Sequence, residues 1–245
     1  LPCELIHAWS MINDNKPQDI DKVRHFVNSS GELIGFGQYE KLDLNWVEAI
    51  TQLLTHYHDD QKAKFVSEPP SIEIADTTSI AIVGDWGAGN IPANKVANAV
   101  KQQKPDYTIH LGDVYYAGTT KEEEDNFLNS WPTGTNGSFA LNSNHEMYAG
   151  GIGYFDVLLK KPAFQQQKGA SYFSLQNKNW IIVGLDTAYY ADKRKLYQYG
   201  HLNHTQLNFL QSVKDSAIAG NKRVIVLSHH HALDLDGSIP SKVND

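Results

Sequence analysis

The amino-acid sequence predicts a layered α/β fold, and three observations carry that prediction. Short β-branched apolar runs alternate with amphipathic stretches, the pattern of buried strands joined by helices. A polar or acidic residue stands just past one run after another, at Asp85, Asp113, Asn144, Asp186 and His229, where open α/β sheets bind their ligands. The chain, at 245 residues of which 41% are hydrophobic, is also long enough to bury a sizeable core.

Taken in order, residues 1–70 read as a helical N-terminal segment. Trp46, Val47, Ile50, Leu53 and Leu54 recur at spacings of three and four, and the helical character runs to about residue 66 before Ser67-Glu68-Pro69-Pro70 breaks it. Residues 71–245 then form the α/β domain. Residues 79–84 (SIAIVG) are expected as a buried strand, 93–103 as a helix, and 107–111 (YTIHL) as a second strand parallel to the first. Residues 138–141, 180–185 and 223–227 have the same strand character. The stretch from His201 to His204, with Gln206, Phe209 and Leu210 after it, reads as a loop and the first turn of an amphipathic helix. Within this frame His110 is expected as a hydrogen-bonded core residue, and the acidic run from Glu122 to Asp125 as a solvated helix start.

Composition removes several functions. A formal charge of −7, with no cluster of Lys and Arg, gives no reason to expect nucleic acid as a general ligand. Cys3 is the only cysteine, so an internal disulfide, a Cys-based zinc site and a CxxC redox site are all ruled out. No apolar run reaches the roughly 20 residues of a membrane span. The first residues, with Glu4 among them, do not form a signal peptide, which favours a cytoplasmic place. Both ends read as cut from something longer.

Four segments carry chemistry: Gly84-Asp85-Trp86-Gly87, Gly112-Asp113-Val114-Tyr115-Tyr116, Asn144-His145-Glu146 and Ser228-His229-His230-His231. Each alone has an ordinary reading, as a turn, a surface loop or a packed histidine. Together, at successive strand ends, they collect carboxylate, amide and imidazole donors, a mixed oxygen and nitrogen set that suits ions such as Mn, Fe or Zn. Two such ions about 3.5 to 4 Å apart promote in-line displacement at phosphorus, and one carboxylate must bridge them.

In this order the segments resemble the signature blocks of calcineurin-like metallophosphoesterases, specifically the purple acid phosphatase-like branch, over roughly residues 78–235. The resemblance implies a four-layer α/β/β/α sandwich and a centre of two metal ions, Fe, Mn or Zn. It implies Asp85 and the phenolate of Tyr116 on the first metal, Asp113 as the bridge, and Asn144 and His229 on the second metal. His145 would protonate the leaving group or steady the transition state. The implied reaction is hydrolysis of phosphate mono- or diesters, in a small molecule or a phosphorylated substrate, by hydroxide activated at the metals. Two positions depart from the pattern. Ser143 stands where the family has Gly, and no Gly-His-x-His block follows His231, so the domain is expected to lack its C-terminal strands.

Other residues near these blocks have competing readings. Tyr115 is expected to pack, facing away from Tyr116. Asp186 is either a turn residue or a partner of a ligand, and His231 a reserve ligand or, in preference, a partner of a ligand or solvated. A dinucleotide oxidoreductase is disfavoured because residues 84–89 space their glycines as Gly-x-x-Gly-x-Gly, and a serine hydrolase because no Gly-x-Ser-x-Gly occurs. The alternative from another class is a catalytically impaired module of the same shape that acts as a binding protein.

Overall fold

The computed structural model describes residues 46–59 and 61–231. The expected helical stretch before residue 46 and the segment after His231 lie outside the described residues. Helix α1 (Trp46–Asp59) leads into an irregular passage over residues 61–70, where the sequence pattern favours continued helix. The body takes over that passage's backbone groups: Ala63 N–H donates to the Gly150 carbonyl at 2.9 Å, and the Tyr189 and Tyr172 hydroxyls donate to the carbonyls of Ala63 and Ser67, each at 2.6 Å. Bonds made to the body replace those a helix would make within itself.

Two sheets follow. Strands β2 (Ile80–Val83), β3 (Tyr107–His110) and β4 (Gly137–Ala140) form a parallel sheet in the order β2-β3-β4. Strands β1 (Ser71–Glu73), β5 (Phe173–Gln176), β6 (Trp180–Leu185) and β7 (Arg223–Ser228) form a second, in the order β1-β5-β6-β7. There β6 and β7 run parallel, and β5 is antiparallel to β6. Helix α2 (Ile91–Gln103) connects β2 to β3, and helix α5 (His204–Gly220) connects β6 to β7. Between them lie the short α3 (Thr120–Glu122), which runs on into a wider turn to Leu128, and α4 (Asn144–Tyr148).

Alternation along the strands sorts the layers. Ile109, Phe139 and Leu141 of the first sheet meet Phe173 and Leu175 of the second, with the Phe139 and Phe173 rings 4.6 Å apart. The outer face of the first sheet packs on α2 and the 123–164 turns through Ala93, Ala97, Phe127, Trp131 and Phe164. The outer face of the second places Ile181, Val183 and Leu185 under Val213 and Ala217 of α5. Helices, sheet, sheet and helix therefore stack as the expected α/β/β/α sandwich. The β4 edge is closed by a side chain: buried Gln167 accepts from Ala140 N–H at 2.9 Å and donates to the Ala140 carbonyl at 2.7 Å, a substitute for a missing strand.

Two expectations change in this setting. Glu123, within the acidic run, is fully buried, because the turn from Glu123 to Leu128 rotates it under the chain alongside Phe127. His110 does lie in the core, against the Phe127 and Trp131 rings, but its Nε2 has no hydrogen-bond partner. Burial pushes its imidazole down to about 3. With the folded value below that of the unfolded chain, the unfolded state takes up the proton first, so stability falls as pH drops from about 6.5 toward 3. At pH 5 this one residue is expected to cost about 2 kcal/mol relative to pH 7.5. Urea unfolding at both pH values checks it, and His110→Leu is expected to remove most of that difference.

Candidate functional site

The carboxyl ends of β2, β3, β4 and β7 reach one edge of the sandwich, and the loops there are laced together. Asp85 N–H donates to the Gly112 carbonyl at 3.0 Å, Gly87 N–H to Asp113 at 3.2 Å, and Tyr115 N–H to Gly87 at 2.9 Å. Asp85 and Asp113 both hold positive φ, 52° and 75°, a conformation that non-glycine residues adopt at a cost of about 1 kcal/mol or more and that clusters at functional sites. Across the sheets, His229 Nδ1–H donates to the Leu111 carbonyl at 3.0 Å, which brings the end of β7 onto the end of β3. Gly112, at φ 104°, lets the loops meet: a Cβ there would stand 2.7 Å from the Ser143 Cβ and 2.9 Å from His229 Nδ1.

Asp113 sits at the middle, 5% exposed. Its Oδ1 lies 3.3 Å from His229 Nε2 and accepts from the Ser143 hydroxyl at 2.5 Å, while Oδ2 lies 3.7 Å from His145 Nε2. Burial by itself would raise this carboxyl, but the two imidazoles and the Ser143 hydroxyl outweigh it and hold Asp113 well below the usual carboxylate range. Asp85 stands at the open rim, where part-burial and the nearby Asp113 charge raise its carboxyl. Asn144 Oδ1 is 2.8 Å from His229 Nε2, and its amide donates to the Tyr148 hydroxyl at 3.0 Å. His145 Nδ1–H donates to the Tyr116 carbonyl at 2.6 Å, which turns Nε2 toward Asp113.

Five of the six singled-out residues, Asp85, Asp113, Asn144, His145 and His229, thus come together. Tyr116 meets them through its backbone carbonyl, which accepts from His145. Its ring packs edge-on to Trp46 at 5.0 Å, in a cluster with Ala49 and Leu53, while the Tyr115 phenol reaches the carboxylates, at 3.3 Å from Asp85 Oδ1 and 3.2 Å from Asp113 Oδ2. Val114 is held by its bridge to Gly87 and fills the core, and the chain turns over residues 115–117, so the two tyrosine rings leave it toward different surroundings.

Residues 78–242 match the family model of calcineurin-like phosphoesterases. The chain belongs to that family. A comparison with curated proteins returned no match. Calcineurin-like phosphoesterases are metallophosphoesterases that use divalent metal ions, so the donors of this chain have to suit one. Among the described residues, no group of three or more acid, histidine or cysteine side chains is already closed around one point. The donor chemistry nonetheless fits. With its Nδ1 proton given to Leu111, His229 turns Nε2 toward two oxygen acceptors, Asn144 Oδ1 and Asp113 Oδ1, a convergence of lone pairs that a cation satisfies.

Sequence reasoning missed three members of this phosphoesterase site. Ser143 has φ −138°, so the position does not require glycine, and its hydroxyl caps α4 through His145 N–H and links Asp113 to the buried Glu146. Burial, with the Asp113 charge, pushes Glu146 up to about 8. Glu122 accepts from the N–H groups of Tyr116, Ala117 and Thr119, clamping the loop that carries Asp113; the capping-box pattern Thr119-x-x-Glu122 was its available signal. Asp186 resolves as a turn residue that also accepts from Asn142 Nδ2 at 3.2 Å, next to Ser143. His230 faces away from the cluster and ties Thr187 to Tyr197, and His231 is exposed. Gly112→Ala is expected to lower unfolding free energy by about 2 kcal/mol or more, from overpacking added to strain at positive φ, as thermal or urea melts would show. Gly137→Ala, also at positive φ but with a side-chain amide nearest at 3.0 Å, is expected to cost less.

Proposed function

We propose that this chain is a hydrolase of phosphate mono- or diesters working at a centre of two metal ions, in the purple acid phosphatase-like branch of its family. The observation that carries the reading is Asp113, a buried carboxylate at the meeting point of four strand ends, with the imidazoles of His229 and His145 and the Asp85 carboxyl beside it and the Asn144 amide oxygen on His229. When bound, two ions of the Fe, Mn or Zn type would supply a water acidified toward hydroxide and positive charge against the phosphoryl oxygens. Asp85, Asp113, Asn144 and His229 would hold them, with Asp113 serving both. His145, tied at Nδ1 to the Tyr116 carbonyl, presents Nε2 on the same side and can give a proton to the leaving oxygen.

The chain's own groups also set the scene for that transfer. Ser143 fixes the start of α4 and hence His145, and the Tyr115 ring lies 4.6 Å from the His145 ring and limits its rotation. A tyrosine ligand is proposed at Tyr115 because of its contacts with Asp85 and Asp113, although the family resemblance puts that role at Tyr116.

Metal analysis with turnover of monoester and diester substrates tests the reading directly. Asp113→Ala is expected to lose the metal pair, whereas His145→Ala is expected to keep it and lose about 100-fold or more in kcat, with less loss for leaving groups that need no proton. Metals retained in Asp113→Ala, or equal losses for good and poor leaving groups in His145→Ala, would count against these roles. With iron bound, phenolate-to-metal charge transfer should colour the protein. Tyr115→Phe is expected to bleach it and Tyr116→Phe to leave it coloured, and the reverse result would return the ligand role to Tyr116.

A further inference from the structure

Helix α1 lies outside the family-matched span of residues 78–242, yet it forms part of the site. Ala49 and Leu53 pack with Met147 and Tyr148 of α4, an apolar contact that fixes α1 against the helix carrying His145. This seating brings the Trp46 ring to 5.9 Å from the His145 ring, tilted by 49°, and to 5.0 Å from Tyr116. Two more rings surround the same histidine, Tyr115 at 4.6 Å and Tyr148 at 5.0 Å. Tyr148 is buried, whereas Trp46 and Tyr115 are partly exposed.

His145 Nε2 is the end of that imidazole turned toward Asp113, so a group that takes its proton from His145 would leave beside these rings. Aromatic walls discriminate by shape and by quadrupole: a flat ring gains dispersion and edge-to-face attraction from them that a flexible, hydroxylated chain does not. We infer that Trp46 is a specificity-determining residue of this site, favouring phosphate esters whose leaving group is a planar aromatic ring. The inference rests on the proposed phosphoesterase reading, with His145 on the leaving-group side, and adds to it a substrate class and a residue from outside the matched domain.

The test compares wild type, Trp46→Ala and Trp46→Phe in the full chain with Mn(II) and Zn(II) supplied. It measures kcat/KM for 4-nitrophenyl phosphate and for glycerol phosphate. In parallel, calorimetry measures binding of phenylphosphonate and methylphosphonate, which need no turnover. Because the two esters differ in leaving-group acidity, the readout is the change in their ratio on mutation. Trp46→Ala is expected to lower the aryl-to-alkyl ratio by about 3-fold to 10-fold, the range that aromatic pairing supports, and to shrink the phenylphosphonate preference similarly. Trp46→Phe is expected to keep both ratios. Equal losses on both esters in Trp46→Ala, or unchanged ratios, would overturn the inference and reduce Trp46 to a packing role. A wild type that hydrolyses neither ester and binds neither phosphonate would instead refute the phosphoesterase reading itself.

Discussion

The Asp113 carboxylate is the group on which the arrangement of this protein depends. Moving an ionised carboxylate out of water costs several kcal/mol unless hydrogen bonds and opposite charge replace its hydration. Tyr115, two residues on, supplies one replacement, and the others come from far along the chain. Ser143 reaches it from the end of β4, His229 from the end of β7 in the other sheet, and His145 from α4. Those strand ends must lie in one plane for the carboxylate to be served, and the inter-sheet core of Ile109, Phe139, Phe173 and Leu175 sets that alignment. Apolar packing thus positions the polar centre, and positive φ at Asp85 and Asp113 is strain that this lacing holds in place.

Ser143 is the point where backbone structure and electrostatics join. One hydroxyl accepts from His145 N–H, which starts α4, and also touches Asp113 and Glu146. The start of the helix and the charge of the central carboxylate are consequently not independent. The His145 ring is fixed a second time by the Tyr116 carbonyl, and the loop bearing that carbonyl is fixed by Glu122, which collects three N–H groups. A group intended to move a proton at one atom needs this kind of double restraint, since misplacement by about 1 Å is enough to cost 100-fold in rate.

What the sequence by itself determined was the alternation of strands and helices, the parallel pairing of β2 with β3, and the placing of Asp85, Asp113, Asn144 and His229 at strand ends. These follow from local rules: apolar runs bury, polar residues after them leave the sheet, and the residue types limit the chemistry. The order of the four blocks carried the family, which the match over residues 78–242 bears out. Tertiary structure alone brought the Tyr115 hydroxyl to the Asp85 and Asp113 carboxylates, because the loop that carries it is anchored by the bridge from Val114 to Gly87, 27 residues earlier in the chain. It alone buried Glu123, left His110 Nε2 without a partner, recruited Ser143 and brought Trp46 to His145. Periodicity reports which way a side chain leaves its own strand or helix. What that side chain then meets is set by the stacking of layers between residues as far apart as Leu111 and His229, and no local pattern encodes it.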